Sequence, residues 1–334
     1  MVWSLPEEMV RIFLAKNLFL VFVVLFTFLV AFFWLSGKHA MSVQSLDPVA
    51  PEIYKLISPS TYKYVLNQPD KCRERRPFLV LVVPVAPDKR ASRDAIRETW
   101  GWEDHIPNVG LLRIFFVGLP TGENHLSIQE DLERESEKHE DIVQMDFMDN
   151  YYNLTIKTMM IMNWLASSCQ EASYAMKIDS DIFLNVDYLV NKLLVPNSTR
   201  KNYITGSVIK DGHPRRDKHS KWYMPEDVFP EDMYPPYVSG AGYVFSADLS
   251  KKISMASRFV RPIPFEDIYV GLCLRVLGVQ PVYGFSLTSM HNLFEIYHLK
   301  YQRCTYYERV IVTGFQPDQL IQIWHDFQKA KFTC

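Results

Sequence analysis

The triplet Asp179-Ser180-Asp181 places two carboxylates two residues apart, directly after the apolar segment Tyr174 to Ile178. On a turn at the end of a buried strand, both carboxylates can bind one hard cation, and Mn²⁺ or Mg²⁺ prefers such oxygen ligands. Burying two like charges there is costly without a cation. Two alternatives remain: a helix cap with a turn residue, and the nucleophile of a phosphohydrolase, although Ile182-Phe183 follows here instead of Gly-Thr.

A second acidic pair, Glu266-Asp267, precedes the apolar segment Ile268 to Leu277, which has the pattern of a helix. Pro262 and Pro264 keep the preceding residues extended. A carboxylate at this position could act as a general base if it reached an acceptor hydroxyl. The alternative is that the pair caps the helix N-terminus, where the helix dipole favours negative charge.

Glycines and aromatic residues are mixed in a third segment, Tyr234 to Tyr243, which contains Tyr237, Gly240 and Gly242. Glycine lets the backbone approach a ligand closely, and aromatic rings stack on the apolar face of a sugar. Trp222 is a further candidate for stacking. The structural alternatives are a plain turn between strands and a buried tryptophan.

Alternating strands and helices must position these residues. The pattern predicts an α/β domain with a largely parallel sheet and helices on both faces, where ligands bind at the carboxyl ends of the strands. After residue 202 we expect mostly loops. Strands are predicted at Phe78–Val85, Leu111–Val117, Asp141–Phe147, Tyr174–Ile178, Gly242–Phe245 and Pro281–Tyr283, and helices at Ser92–Trp100, His125–Glu140, Leu154–Ser168, Ile268–Leu277 and Pro317–Ala330.

The N-terminal region contains an uncharged apolar segment, Leu18 to Leu35. As a helix it would span about 27 Å, close to the hydrocarbon thickness of a bilayer. It predicts an uncleaved signal anchor better than a signal peptide, because it is long and ends in bulky residues. The expected organisation is a cytoplasmic tail at 1–17, the transmembrane anchor at 18–35, a stem at 36–74 and a lumenal domain at 75–334.

Charge and cysteine content restrict the class of protein further. A net charge of −2 without a long basic block argues against a nucleic-acid partner. The five cysteines have no metal-binding spacing, so we expect a lumenal disulfide or two and at least one cysteine outside any intramolecular pair. Asn153 and Asn197 begin glycosylation sequons.

Several motifs occur together in the order typical of one family. The chain from about residue 75 to its end resembles the β-1,3-glycosyltransferases (glycosyltransferase family 31), and most closely their β-1,3-galactosyltransferase branch. The segments that carry the resemblance are Ser92–Gly101, Asp146–Thr158, Lys177–Phe183, Lys221–Tyr223, Tyr234–Ser246 and Glu266–Gly271.

The resemblance implies a GT-A fold, which is a Rossmann-like nucleotide-sugar-binding domain, and an inverting, single-displacement mechanism. The donor would be UDP-galactose, and the acceptor the 3-hydroxyl of an N-acetylglucosamine-terminated glycan on a glycoprotein or glycolipid. The protein would be a single-pass type II protein of the Golgi membrane. Transfer of N-acetylglucosamine or N-acetylgalactosamine, and a non-catalytic role as a binding partner of other Golgi transferases, remain alternatives.

The resemblance also implies roles for individual residues. Asp179-Ser180-Asp181 would bind Mn²⁺ or Mg²⁺, with the second aspartate as the direct ligand and the first also contacting the donor. Asp267 would be the base, and Glu266 would lie beside a sugar. Arg97 and Lys157 match basic positions near the donor, although structural pairing with neighbouring carboxylates is the alternative for both.

The sequence departs from the family pattern at two places. Members usually have a metal-binding histidine near the C-terminus, whereas Val310 to Pro317 contains none and is one residue short. His291 or His298 could replace it. Close relatives often have cysteine where Val238 stands, so no disulfide is expected at that position.

Overall fold

Four parallel strands with largely apolar side chains form the centre of the main sheet. This computed structural model describes residues 26–27, 47–195, 199–286 and 291–329. The strands within these ranges are β1 (Tyr64–Leu66), β2 (Leu79–Pro84), β3 (Leu111–Leu119), β4 (Ile142–Met148), β5 (Tyr174–Ile178), β6 (Ile182–Leu184), β7 (Ile204–Ile209), β8 (Tyr237–Ser246), β9 (Val282–Tyr283), β10 (Phe294–Glu295) and β11 (Ile311–Thr313).

The main sheet has the strand order β1-β4-β3-β2-β5-β8-β7-β9. Strands β4, β3, β2 and β5 run parallel to their neighbours, whereas β1 is antiparallel to β4, and β8 is antiparallel to both β5 and β7. A smaller sheet has the order β10-β11-β6. The sheet is therefore mixed, and β8 returns beside β5 at the end of the parallel part.

Helices connect the strands and cover the sheet. They are α1 (Pro51–Tyr54), α2 (Lys71–Arg75), α3 (Arg90–Glu98), α4 (His125–His139), α5 (Leu154–Ser168), α6 (Val186–Tyr188), α7 (Asp248–Ala256), α8 (Glu266–Leu277), α9 (Arg303–Tyr307) and α10 (Pro317–Gln328). Shorter 3-10 turns lie at Pro59–Thr61, Tyr151–Asn153 and Ser257–Phe259, and a π-helical turn lies at Leu189–Leu194.

The core has two layers because alternate side chains of each strand point to opposite faces of the sheet. On one face Val80 and Val82 pack with the apolar side chains of α5, α7 and α8. On the other face Leu79 and Leu81 pack with α3, α10 and the small sheet. All six residues of β2 are buried, as expected for a strand covered on both sides.

The predicted α/β class and the main elements are confirmed, with local corrections. Helix α3 begins at Arg90 rather than Ser92, and α8 begins at Glu266 rather than Ile268. Strand β7 and helix α7 lie in the region expected to be mostly loops. The sequence of β7, ITGSVI, contains small and polar residues, yet its first four residues are buried between β8 and β9.

The N-terminal anchor predicted at 18–35 lies outside the described residues apart from Phe26 and Thr27, and it stays a prediction. Among the residues that the structure describes, no helix is long and apolar enough to cross a membrane. A compact unit comprises Pro48–Cys334, so much of the segment predicted as stem belongs to it. Strand β1 from that segment pairs with β4.

A disulfide connects α2 to the end of α5. Cys72 pairs with Cys169, the two Cα atoms are 5.2 Å apart, and 97 residues separate them in the sequence. Cys304 is also disulfide-bonded, whereas Cys273 is free and buried. A covalent link across so long a loop restricts the unfolded chain strongly.

Removing this disulfide should destabilise the fold. We expect Cys72→Ala to lower the free energy of unfolding by about 2–5 kcal/mol, since the unfolded chain regains its loop entropy. Urea unfolding of the full-length chain without reductant measures this. Cys273→Ala, a buried cysteine outside any disulfide, is the matched control and should cost less. Equal stability of the Cys72→Ala variant and the wild type would contradict the prediction.

Candidate functional site

A cleft of about 640 Å³ opens where β5 ends and where β8 and α8 begin. Asp179 of the first acidic pair and both residues of the second, Glu266 and Asp267, line it, whereas Asp181 is not among its lining residues. Apolar side chains such as Leu154 and Ile268 form part of the wall, and aromatic residues occupy several other positions. The polar and aromatic residues that line the cleft include Tyr151, Lys177, Asp179, Asp211, Arg215, Trp222, Tyr234, Tyr237, Ser239, Gly240, Glu266, Asp267 and Tyr297.

Lys177 connects the two acidic pairs. It lies on the buried strand β5, and its side chain is only 3% exposed. Its Nζ is 2.6 Å from Asp179 Oδ1 and 3.1 Å from Glu266 Oε1, and it also donates to the carbonyl oxygen of Gly240. A lysine in an apolar strand thus reaches three acceptors from three different segments.

Burial and charge act in opposite directions on this group. Burial would lower the pKa of Lys177, but the carboxylates of Asp179 and Glu266 outweigh burial and raise that pKa, so the ammonium stays charged. Burial also raises the pKa of Glu266 above its ordinary value, although Lys177 works against the increase and nearby Asp267 adds to it. The cleft therefore contains a buried, fixed cation among several carboxylates.

Glu266 is buried and held mainly through one of its oxygens. Oε2 accepts hydrogen bonds from the hydroxyls of Tyr243 at 3.1 Å and Thr158 at 3.2 Å. Tyr243 lies directly opposite Lys177 in the β5–β8 register, so both side chains reach Glu266 from the same face of the sheet. Oε1 forms the ion pair with Lys177 and accepts no further hydrogen bond from the residues that the structure describes.

Gly240 brings the backbone of β8 close to both carboxylates of the second pair. Its N–H donates to Asp267 Oδ2 at 3.1 Å. A Cβ at this position would lie 2.8 Å from Glu266 Oε1 and 3.4 Å from Asp267 Oδ2. The close approach of backbone expected from the sequence thus occurs at Gly240, where any side chain would displace the acidic pair.

Asp267 lies in the first turn of α8, half-buried at the wall of the cleft. Besides Gly240, the N–H of Ile268 donates to its carboxylate, at 2.8 Å. Burial raises the pKa of Asp267, and the two N–H donors limit the increase. A carboxylate that is fixed by the backbone and partly desolvated is suited to accept a proton.

Asp181 follows β5 on a turn that the C-terminal segment holds. Its carbonyl oxygen accepts the N–H groups of Gly314 and Phe315, each at 3.0 Å. Asp181 is exposed as a residue. Partial burial of its carboxylate and the charge of Asp179 nevertheless raise its pKa. His298 lies beside this turn, because a Cβ on Gly314 would be 3.4 Å from its Nδ1.

The carboxylate oxygens of Asp179 and Asp181 suit a divalent cation that keeps several coordination positions for water or phosphate. Burial and, after it, the charge of Asp179 raise the pKa of Asp181, and a bound cation would oppose both effects. Within the described ranges, no group of three or more His, Cys, Asp or Glu residues has the arrangement of a metal site. The chemistry of the two carboxylates fits Mn²⁺ or Mg²⁺ as partial ligands, and the metal assignment stays a prediction.

The structure puts Arg97 outside the cleft in a cluster of buried charges. Its guanidinium bonds Asp141 at 2.8 and 2.9 Å and contacts Glu135 at 2.7 Å. Arg113 also binds Asp141, at 2.6 Å. This is the structural pairing considered as the alternative, and a donor contact by Arg97 stays a prediction.

Lys157 is likewise paired within the protein. It is buried on α5, where its Nζ lies 2.7 and 2.9 Å from the two carboxylate oxygens of Asp149 and 3.0 Å from the carbonyl oxygen of Val85. Burial lowers the pKa of Lys157, against the raising effect of Asp149. Its predicted contact with the donor is untested, and all three acceptors around it belong to the chain itself.

The remaining predicted residues differ in position. Trp222 and Tyr237 line the cleft. Gly242 is buried in β8, where a Cβ would lie 3.2 Å from Ile311 Cδ1, so it serves sheet packing and does not line the cleft. The side-chain amide of Asn153 donates to the carbonyl of Met148 at 2.8 Å. Asn197 lies outside the described residues, and glycosylation at both sites stays a prediction.

Sequence reasoning gave no role to Lys177, Tyr243, Thr158 or Tyr151. The signal for Lys177 was available: a lysine in the otherwise apolar segment YAMKI needs a buried carboxylate partner. The hydroxyl groups of Thr158 and Tyr243 had no such signal, because their shared partner Glu266 is brought to them only by the packing of α5, β8 and α8.

Both acidic pairs lie in a part of the chain that matches a known family. The family model described as Galactosyltransferase matches residues 91–283. The chain belongs to the galactosyltransferase family. A second profile, described as Beta-1,3-galactosyltransferase 2 N-terminus, matches residues 45–80 of this galactosyltransferase family member. The family expected from the sequence motifs is confirmed.

Individual relatives agree with the family. The chain is 43% identical over 271 residues to Beta-1,3-galactosyltransferase 2 of Homo sapiens, and the match covers 81% of this chain and 63% of that protein. It is 40% identical over 276 residues to Beta-1,3-galactosyltransferase 1 of Mus musculus, covering 82% and 81% of the two chains. This galactosyltransferase family member thus spans less than two thirds of the first of these relatives.

Two solved structures are similar at 10% sequence identity and a TM-score of 0.38. One is the apo structure of the bifunctional glycosyltransferase WbbM, of which the match covers 52%, against 77% of this chain. The other is a glycosyltransferase involved in the glycosylation of the major capsid of PBCV-1, of which the match covers 100%, against 75% of this chain.

Replacing Lys177 should be costly, because it removes the one partner that Glu266 Oε1 has. We expect Lys177→Met to lower the free energy of unfolding by about 3–5 kcal/mol, the usual cost of a buried charge left without its partner. Adding Glu266→Gln should recover part of that loss, which a double-mutant cycle by urea unfolding measures.

The control for Lys177 is an exposed ion pair. Lys252 contacts Asp248 at 2.6 Å with 41% of its side chain exposed, so Lys252→Met should cost less than about 1 kcal/mol. If Lys177→Met costs no more than Lys252→Met, Lys177 is not the link between the acidic pairs that its contacts indicate.

The ion pairs around Asp141 should make the free energy of unfolding depend on pH in the acid range. Burial alone would raise the pKa of Asp141, but Arg97 and Arg113 lower it below its ordinary value. Its contribution to stability is therefore complete above about pH 4, where the unfolded chain is ionised, and is lost as pH falls through the lower folded pKa. Urea unfolding at pH 6 and pH 3 measures the difference.

Asp141→Asn should remove that contribution already at pH 6, at a cost of about 3–5 kcal/mol, and should flatten the pH dependence. Asp131→Asn, at an exposed pair with Arg134 on α4, is the control and should change stability by less than about 1 kcal/mol. An unchanged pH dependence in Asp141→Asn would show that other groups cause the acid sensitivity.

Proposed function

We propose that this protein is an inverting β-1,3-galactosyltransferase that transfers galactose from UDP-galactose to the 3-hydroxyl of an N-acetylglucosamine-terminated glycan. The observation that carries the proposal is that Asp179, Glu266 and Asp267 line one cleft of a galactosyltransferase family member, where Lys177 joins Asp179 to Glu266. Its relatives are named β-1,3-galactosyltransferases.

Asp179 and Asp181 would hold the donor through Mn²⁺ or Mg²⁺, with Asp181 as the direct ligand. When bound, the cation neutralises the charge that develops on the diphosphate of the leaving group. Asp179 is partly satisfied by Lys177 at 2.6 Å, whereas Asp181 is an exposed residue without such an ion pair among the described residues, which favours Asp181 for direct ligation. The fold around this donor site would be GT-A.

Asp267 would act as general base. The oxygen of the acceptor 3-hydroxyl attacks the anomeric carbon of galactose, and its proton passes to the carboxylate of Asp267. The bond between that carbon and the β-phosphate oxygen breaks, and its electron pair leaves with UDP. One displacement inverts the anomeric centre, so an α-linked donor yields a β-1,3 linkage. The N–H groups of Gly240 and Ile268 hold Asp267 for this transfer.

Glu266 would bind a sugar hydroxyl instead of taking a proton. Apart from the Lys177 ammonium, no donor among the described residues reaches its Oε1, and Gly240 carries no side chain beside it. A buried acceptor atom with a free lone pair is stabilised when a ligand hydroxyl donates to it. The ion pair with Lys177 would hold the Glu266 carboxylate in place between the donor and Asp267.

We infer that the catalytic domain is lumenal, in a type II protein of the Golgi membrane. The disulfide between Cys72 and Cys169 supports an oxidising compartment. The apolar segment at 18–35, with basic Arg11 and Lys16 before it, supports an N-terminal anchor with a cytoplasmic tail.

The proposed activity can be tested on the full-length chain in detergent with UDP-galactose and an N-acetylglucosaminide. We expect a β-1,3-linked product, identified by NMR, and loss of turnover with EDTA that Mn²⁺ restores. Asp267→Asn should lower kcat about 10²–10⁴-fold while metal-dependent UDP binding is kept. Asp181→Asn should lose that binding as well, and Asp131→Asn on the surface of α4 is the control.

Other outcomes would replace the proposal. Turnover with UDP-N-acetylglucosamine or UDP-N-acetylgalactosamine but not UDP-galactose would change the donor. Metal-dependent UDP binding without transfer to any acceptor would favour the non-catalytic partner, an alternative motivated by the absence of histidine between Val310 and Pro317. Full activity in Asp267→Asn would remove Asp267 as the base.

A further inference from the structure

Two large aromatic side chains lie exposed at the mouth of the cleft. Trp222 is 55% exposed and Tyr151 is 37% exposed, and both line the cleft. Apolar ring surface left in water costs free energy that a bound ligand would recover. Exposed aromatic surface beside an open cleft therefore indicates a part of the binding site that the acidic pairs do not account for.

The two rings are held in fixed positions by the chain itself. The indole Nε1–H of Trp222 donates to the hydroxyl of Tyr151 at 3.2 Å. Lys221 Nζ lies 4.0 Å from the centre of the Tyr151 ring. The backbone N–H of Trp222 donates to Ser220 Oγ, and Asn150 caps the turn that carries Tyr151. The aromatic pair is thus ordered by contacts within the protein.

The aromatic pair lines the same cleft as Asp267, the residue proposed as the base. Asp267 itself is half-buried, deeper than the exposed indole of Trp222. A sugar whose 3-hydroxyl reaches Asp267 must enter the cleft, so the next sugar of the same glycan comes to lie at its mouth.

We propose that Tyr151 and Trp222 form a subsite for the second sugar of the acceptor, the pyranose to which the terminal N-acetylglucosamine is attached. The indole face of Trp222 stacks on the apolar face of that sugar. This inference rests on the proposed function. It makes an oligosaccharide, rather than a single sugar, the preferred acceptor.

The test compares a methyl β-N-acetylglucosaminide with the disaccharide in which the same residue is β-linked to galactose, using the full-length chain in detergent. The wild type should have an about tenfold lower KM for the disaccharide. Trp222→Ala should remove this difference with kcat nearly unchanged, and Trp222→Phe should keep most of it. Tyr151→Phe removes the hydroxyl that accepts the indole N–H, so this variant should lose part of the difference in KM between the two acceptors.

Trp102→Ala is the matched control, since Trp102 is also 55% exposed and is not among the cleft residues. Saturation-transfer NMR with the disaccharide gives a readout independent of turnover: protons of the second sugar should receive saturation from the wild type and not from Trp222→Ala. If no galactose is transferred while this binding signal stays intact, the proposed function is wrong and the subsite stands.

Equal KM values for the two acceptors in the wild type would overturn the subsite. So would a Trp222→Ala variant that weakens both acceptors alike, or one that leaves the saturation of the second sugar unchanged. Each of these results would assign Trp222 to the general wall of the cleft instead of to the second sugar.

Discussion

The buried ammonium of Lys177 is the interaction on which the cleft depends. It is surrounded by Asp179 at 2.6 Å, Glu266 at 3.1 Å and the carbonyl of Gly240. Without it, two acidic segments from distant parts of the chain would repel each other in a partly desolvated space. With it, their charges can lie together at one edge of the sheet, ready for a cationic or hydroxylated ligand.

The mixed topology of the sheet makes that contact possible. Strand β8 runs antiparallel beside β5, so Tyr243 lies opposite Lys177 and the residues before it pass the end of β5. There the backbone of Gly240 passes so close to Glu266 that a Cβ on Gly240 would lie 2.8 Å from Glu266 Oε1. Helix α8 begins at this point and directs Glu266 and Asp267 toward the strand ends. Lys177, Gly240 and the pair Glu266-Asp267 are thus attached to strands and to the first turn of a helix.

Much of this arrangement could be predicted because its signals are local. Continuous apolar segments identified β2, β3 and β5, and both acidic pairs follow or begin such elements. Strand β7 was missed because Thr205, Gly206 and Ser207 interrupt its apolar pattern, although pairing on both sides buries them. The partners of Arg97 and Lys157 depend on how strands and helices pack, so the sequence left two interpretations open for each residue.

The central claim is that the two acidic pairs, joined by Lys177, form one donor and transfer site. A crystal structure of the full-length chain with Mn²⁺ and UDP tests it most directly. We expect the cation between the diphosphate and the Asp181 carboxylate, with Lys177 still bound to Glu266 and Gly240. UDP bound away from Asp181, or Lys177 released from Glu266, would contradict the account.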